Sequence, residues 1–188
     1  MSKAMELSNA FGYLFAEEVT FLQTLAYKIP KGGVCVNIGA GPGTSSLAIL
    51  ETRPDLTPTF STVDISTGGP LGGLQNEVNA FNNAGLTVPN QVLGDSKEVG
   101  KTWNKQIDYL FIDGDHSWDG AKGDIDAWFP HLKPGAIVAF HDYDSVNWGD
   151  IKRLVDYTMK TRVQIGVFRT LAAYYNWQQK PEVEKASE

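Results

Sequence analysis

The chain has 188 residues, 42% of them apolar and 20% charged, with a net charge of −6 and a pI near 5.0. That balance fits one globular domain and argues against a disordered chain; with no block of Lys and Arg it offers no large nucleic-acid footprint. The single cysteine, Cys35, rules out an intrachain disulfide or a cysteine metal cluster.

Residues Leu7, Phe11, Leu14, Phe15, Val19, Leu22 and Ala26 recur at helical spacing, and Pro30 with Gly32-Gly33 closes that segment. The N-terminus has no long apolar core after Lys3, so neither a signal peptide nor a membrane span is expected, and a cytoplasmic setting is the expectation. Val34 to Ile38 is a short apolar, β-branched run that suits a strand buried on both faces, with Cys35 an inert thiol inside it. Thr44 to Glu51 reads as a helix and Thr59 to Ile65 as a strand. Leu74 to Ala84 is a helix stopped by Gly85, and Val88 to Leu93 and Ile107 to Ile112 are two more strands. Ala121, Ile125, Trp128, Phe129 and Leu132 mark a helix ending at the Pro134-Gly135 turn, and Ala136 to Phe140 is a fifth strand. A helix over Trp148, Ile151, Leu154, Val155 and Met159 precedes two final strands, Val163 to Phe168 and Leu171 to Tyr175. The charged tail, residues 180–188, is expected to fray.

Alternating strands and helices require a mostly parallel sheet with helices on both faces, the α/β class. Ligands then sit beyond the carboxyl ends of the strands, so the residues after each strand carry the chemistry. After the first comes Gly39-Ala40-Gly41-Pro42-Gly43-Thr44. The dinucleotide fingerprint would need glycine at position 44, and no G-K-[ST] follows, so neither a dinucleotide fingerprint nor a phosphate-binding P-loop is matched. Three glycines in five residues favour a ligand site over a plain turn. Asp64, 21 residues beyond Gly43, suits the two hydroxyls of a ribose. Asp95, in Gly94-Asp95-Ser96, suits either an adenine amine or the N-cap of a following helix.

The last two strand ends are acidic. "FIDGDHSWDG" brings Asp113, Asp115 and His116, and "FHDYD" brings His141, Asp142 and Asp144. Neighbouring strands would gather Asp113, Asp115, His141 and Asp142 in one crevice, where carboxylates repel unless something cationic neutralises them. A hard divalent ion bound by oxygens is the economical answer.

The order glycine loop, Asp64, Gly94-Asp95 and "YLFIDGDHSWDGAKGDIDAWFPHLKPGAIVAFHDYD" resembles the class I S-adenosylmethionine-dependent methyltransferases, and within them the small-molecule O-methyltransferases of the macrocin O-methyltransferase and cephalosporin-hydroxylase-like group. The resemblance spans about Val34 to Asp144 and rests on the "DGDHS…LKPG…FHDY" stretch more than on the glycine loop. It implies a Rossmann-like sheet of seven strands with an antiparallel last strand. It also implies that Gly39 and Gly41 approach the methionine part of S-adenosylmethionine, that Asp64 holds the ribose with Ser66 beside it, and that Asp95 and Ser96 flank the adenine. Asp113 and Asp142, joined by His141, would bind the cation, expected to be Mg2+, with Asp113 also near the cofactor. Asp115 would be the base that takes the proton of the acceptor hydroxyl, with His116 its rival.

Asn37 departs from the pattern, since an acid is common there; its amide can accept one hydrogen bond from the cofactor's amino group but brings no charge. Either the acceptor is more exposed, or the helix from Leu7 to Ala26, within residues 1–30, forms the whole lid. Trp118, Trp128, Tyr143 and Trp148 lie near the strand ends, with Trp128 and Trp148 expected to pack in the core. The partner expected is a small-molecule hydroxyl acceptor such as a sugar, polyketide or phenol; no membrane or nucleic acid is expected, and a homo-oligomer stays open. Two competing readings remain. Thr44 speaks against a nicotinamide dehydrogenase, and the retained acids speak against a non-catalytic adenosine-binding module.

Overall fold

The computed structural model describes residues 1–70 and 72–178; the tail expected to fray, 180–188, lies outside them. Seven strands form one sheet: β1 Cys35–Ile38, β2 Phe60–Asp64, β3 Asn90–Leu93, β4 Ile107–Ile112, β5 Leu132–Phe140, β6 Arg162–Phe168 and β7 Leu171–Gln178. Their order is β3-β2-β1-β4-β5-β7-β6. β7 runs antiparallel to both of its neighbours, and the other pairings are parallel, as the resemblance implies.

The helices are α1 Lys3–Phe11, α2 Ala16–Ala26, α3 Thr44–Thr52, α4 Leu74–Ala84, α5 Ser96–Thr102, α6 Trp118–Trp128 and α7 Gly149–Met159. Alternation along the strands splits the core in two. Cys35, Tyr109, Phe111, Ile137 and Ala139 face one way, onto α1, α2, α3 and Phe81 of α4. Val36, Ile38, Leu110, Ile112, Val138 and Phe140 face the other way, onto α6 and α7. Among the described residues no helix is long and apolar enough to cross a membrane.

Four elements differ from the sequence expectations. The single N-terminal helix is two, because Gly12 at φ 70° ends α1 in a left-handed cap. The apolar spacing is continuous only because both helices pack on the same layer. Leu132 opens β5 instead of closing a helix; it pairs with Ile107 across a bulge, which accommodates Pro134 near the strand's start. The short α5 carries too few apolar residues to show a period, although Asp95 caps it. Trp148 caps α7 and is 44% exposed, so it is not a core residue.

The order reverses between β2-β1 and β4-β5, and the register aligns the strand ends there. Ile38 pairs with Val63 and with Ile112, and Ile112 pairs with Phe140. The residues following all four strands therefore open on one crevice.

Candidate active site

A cavity of about 1070 Å³ occupies that crevice. Its floor is the glycine loop and the strand ends; its rim is the α1–α2 link (Gly12 to Phe15), the loop after β5 (Asp144 to Trp148) and Thr170 in the β6–β7 turn.

The glycine loop is tied to its neighbours by close contacts. Gly39 has φ 89°, and a Cβ there would sit 2.1 Å from the Asp113 carbonyl oxygen, so the loop lies directly against the end of β4. Asp64 fastens its other side: one carboxylate oxygen accepts from Ala40 N and the other from Ser66 N, both at 2.7 Å. Gly39, Gly41, Asp64, Asp95 and Ser96 all line the cavity, as expected. Asp95 also fills the capping role that the sequence left open, accepting from Lys97 N at 2.9 Å. The Ser96 hydroxyl donates to Asp124.

Two expected cofactor contacts lie off the cavity wall. Asn37 is buried, donates to the Gly39 carbonyl at 2.8 Å and accepts from the Ser45 hydroxyl at 3.1 Å, so its amide braces the loop. Ser66 meets the loop after β2 through its side chain, where its hydroxyl accepts from Gly68 N at 3.2 Å.

At the other end of the cavity four expected residues converge. His141 Nδ1 lies 3.3 Å from Asp113 and 3.3 Å from Asp142. His116 Nε2 lies 3.4 Å from Asp113 and 2.8 Å from Asp142. The short approach is out of line with the ring N–H, so His116 meets Asp142 as a charge partner and keeps a buried nitrogen without an aligned hydrogen bond. Asp142 has φ 55°, an uncommon conformation outside glycine that costs about 1–3 kcal/mol and persists where the surroundings hold it. Trp148 stacks on His116, with ring centroids 4.8 Å apart and planes 20° apart.

These contacts shift every ionisation in the cluster. The Asp113 and Asp142 carboxylates push His116 up to about 9, against the opposing effect of burial. Burial would raise Asp113, but the charge of His141 and the contacts of both imidazoles outweigh it and hold the acid at about 2. Burial is likewise outweighed at Asp142, where His116 and His141 lower the pKa. Burial works against charge on His141 too, yet Asp113 and the other acids raise it well above its ordinary value. Protonated imidazoles thus neutralise converging carboxylates. The same atoms suit a cation: one ligand atom each from Asp113, His141 and Asp142 falls within 4.8 Å of the others. Two carboxylates and an imidazole fit a divalent ion at the hard end of the series, Mg2+ or Mn2+.

Asp115 lines the same cavity but stands apart from this cluster. It is exposed and accepts from Ser117 N at 2.9 Å, and this backbone bond, then the Ser117 hydroxyl, lowers its pKa. Its carboxylate packs against the first turn of α6, where a Cβ on Gly120 would meet its Cγ at 2.2 Å. Of the two expected bases, the structure brings His116 into the acid centre and leaves Asp115 in a turn.

Sequence reasoning missed Glu18. This acid of α2 is 0% exposed and lies 3.4 Å from His141 Nε2. Its one visible signal was a carboxylate beside Val19 and Leu22 in an otherwise apolar stripe. Of the aromatic candidates, Trp128 is buried as expected and donates to the Ser96 carbonyl at 3.1 Å. Tyr143 is buried, with its hydroxyl donating to Asp156 at 2.6 Å. Trp118 lies under Arg153. Trp148 is the one that faces the cavity.

The protein-family description "Methyltransferase domain" matches residues 36–143, from β1 to just past His141 and Asp142. The chain belongs to this methyltransferase family. Its fold is that of the class I S-adenosylmethionine-dependent methyltransferases. This methyltransferase is 26% identical over 145 residues to uncharacterized protein R132 of Acanthamoeba polyphaga mimivirus. That alignment takes in 74% of the chain and 65% of R132, so the chain spans just under two thirds of that relative's length. Among solved structures it resembles the O-methyltransferase NovP (16% identity, TM-score 0.70, covering 87% of this chain and 81% of NovP). It also resembles the S-adenosylhomocysteine-bound methyltransferase PaMTH1 of Podospora anserina (16% identity, TM-score 0.70, covering 94% and 87%).

Proposed function

We propose that this methyltransferase moves the methyl group of S-adenosylmethionine to a hydroxyl of a small molecule, with a divalent cation, Mg2+, held by Asp113, His141 and Asp142. One observation carries the reading. The glycine loop with Asp64 and the acid–histidine centre are two ends of one cavity of about 1070 Å³, at the upper end of the usual range for a ligand pocket and so roomy enough for a cofactor and a small acceptor side by side. Bound there, the cofactor supplies an electrophilic methyl carbon and the cation acidifies the acceptor hydroxyl. The chain's own task is alignment. Gly39, Gly41 and Asp64 fix the cofactor, and the acid centre holds the acceptor oxygen in line with the methyl group, which removes much of the barrier.

His116 is the group we assign to take the acceptor's proton, in the neutral form it would adopt once the cation replaces it as counter-charge to Asp113 and Asp142. Its Nε2 is buried without an aligned partner at the acid centre, and its ring is held by Trp148. Asp115 is engaged by Ser117.

The rim favours an uncharged, flat acceptor. Tyr13, Phe15, Val146 and Trp148 are partly or fully exposed there, and Asp144 adds negative charge. Lys97 is the one Lys or Arg among the lining residues, and it sits beside Asp95 at the cofactor end. Apart from the metal ion itself, phosphate-bearing acceptors would meet no Lys or Arg among the residues lining the acceptor end. Release of S-adenosylhomocysteine with neutral aryl alcohols and sugars, compared with their nucleotide-linked or phosphorylated counterparts, tests this. Faster turnover of the phosphorylated set would reject the acceptor assignment.

A further inference from the structure

Glu18 is a fully buried carboxylate that neither the cofactor loop nor the acid pair requires. One of its oxygens accepts from Phe15 N at 2.8 Å and lies 3.4 Å from His141 Nε2. The other accepts from Thr170 N at 2.8 Å and from the Thr170 hydroxyl at 2.7 Å. A helix-capping role uses only the Phe15 contact. Burying a carboxylate is costly unless donors meet its oxygens, and here they come from three separate places: the start of α2, the β6–β7 turn and the end of β5. Phe15, Thr170 and His141 all line the cavity.

We propose that Glu18 is a positioning residue for the acid–histidine centre: it holds Nε2 of His141 so that Nδ1 faces Asp113 and Asp142, and it ties that ring to the Phe15 and Thr170 rim. The imidazole is divided between two sets of acids, Nε2 toward Glu18 and Nδ1 at 3.3 Å from both Asp113 and Asp142. A half-turn of the ring would put carbon atoms against both sets, so Glu18 selects one orientation. A carboxylate on the far nitrogen of a metal-binding histidine fixes the ring in this way. The seating of α2 is therefore coupled to the centre: lifting α2 from the β6–β7 turn releases His141. Glu17 and Arg169, paired at 2.9 Å beside it, fasten the same joint.

The first test needs no cation. Ring nitrogen spectra of the metal-free full chain are compared between wild type and Glu18→Gln. His141 signals are expected to move, while those of His131, whose ring meets the Gly100 carbonyl at 2.9 Å, stay in place. Unmoved His141 signals would overturn the proposal. The second test rests on the cation reading above and uses Mn2+ as the probe. Glu18→Gln should weaken Mn2+ binding about 10–100-fold, the range for losing such a supporting group. Added to His141→Asn it should cost nothing further, because Glu18 acts through that ring. An equal loss in both backgrounds would make Glu18 a fold residue only and overturn the proposal. If wild type takes up no Mn2+, the cation reading fails, and the ring spectra still decide the role of Glu18. If Glu18→Gln does not fold, Glu18→Asp, still charged but one methylene short of His141, carries the same expectations.

Discussion

Replacing Asp64 by Ala should separate cofactor binding from folding, because the proposed function gives its carboxylate a part in both. In the free protein its two oxygens accept from Ala40 N and Ser66 N at 2.7 Å, joining the glycine loop to the loop after β2. Each oxygen keeps acceptor capacity beyond that bond, so a ribose can be held without breaking either one. Hydrogen bonds to a charged group are worth about 1.5–3 kcal/mol. Loss of the ribose contacts should therefore weaken S-adenosylhomocysteine binding by that amount, roughly 10–150-fold in Kd. The backbone donors of Ala40, itself buried, and of Ser66 lose their acceptor, at a stability cost of about 1–3 kcal/mol. For a chain of this size that lowers Tm by roughly 2–12 °C. Titration calorimetry well below the variant's Tm reads the affinity, and a thermal melt reads the stability. Unchanged affinity alongside a lowered Tm would refute the ribose placement and leave Asp64 as a loop brace.

Chelation with EDTA should abolish turnover and Mg2+ should restore it; full activity in metal-free buffer would exclude the cation. His116→Ala should slow single-turnover methyl transfer by roughly 10²–10⁴, the range for general-base loss, with cofactor affinity near wild type. A slow Asp115→Asn beside a fast His116→Ala would reverse that assignment. Glu77 is buried against Ser46, Thr62 and Gln91, and burial outweighs these bonds and raises its pKa. The folded chain then keeps a proton that the unfolded chain has lost. Its contribution to stability is full below the ordinary glutamate pKa, about 4.3, and falls as pH rises through the raised value. Melts across that window should show a declining limb that Glu77→Gln flattens, and an unchanged slope would contradict the burial argument.

The parts of the fold and site that were legible from sequence are those that local order dictates. Gly39, Asp95, Asp113 and His141 each follow a strand closely and Asp64 ends one, and alternation of strands with helices fixes which end of the sheet they share. That was enough to place both ends of the cavity. What stayed hidden depended on tertiary distance or on one backbone angle. Glu18 meets His141 across 123 positions of chain, and no local pattern announces that contact. Gly12 breaks the N-terminal helix inside an unbroken apolar stripe because α1 and α2 cover the same core layer. Trp148 falls at helical spacing yet lies just outside α7, where it turns to His116 instead of the core. Asp115 and His116 are adjacent in sequence, and the Ser117 cap decides which of them stays in the turn.

A crystal structure with S-adenosylhomocysteine and Mn2+, read by the anomalous signal of the metal, tests the central claim most directly. The account predicts the ribose on Asp64, the sulfur past Gly39 and Gly41, and a single metal peak among Asp113, His141 and Asp142 facing that sulfur across the cavity. A metal peak elsewhere, or an adenosine that leaves Asp64 without a contact, would contradict it.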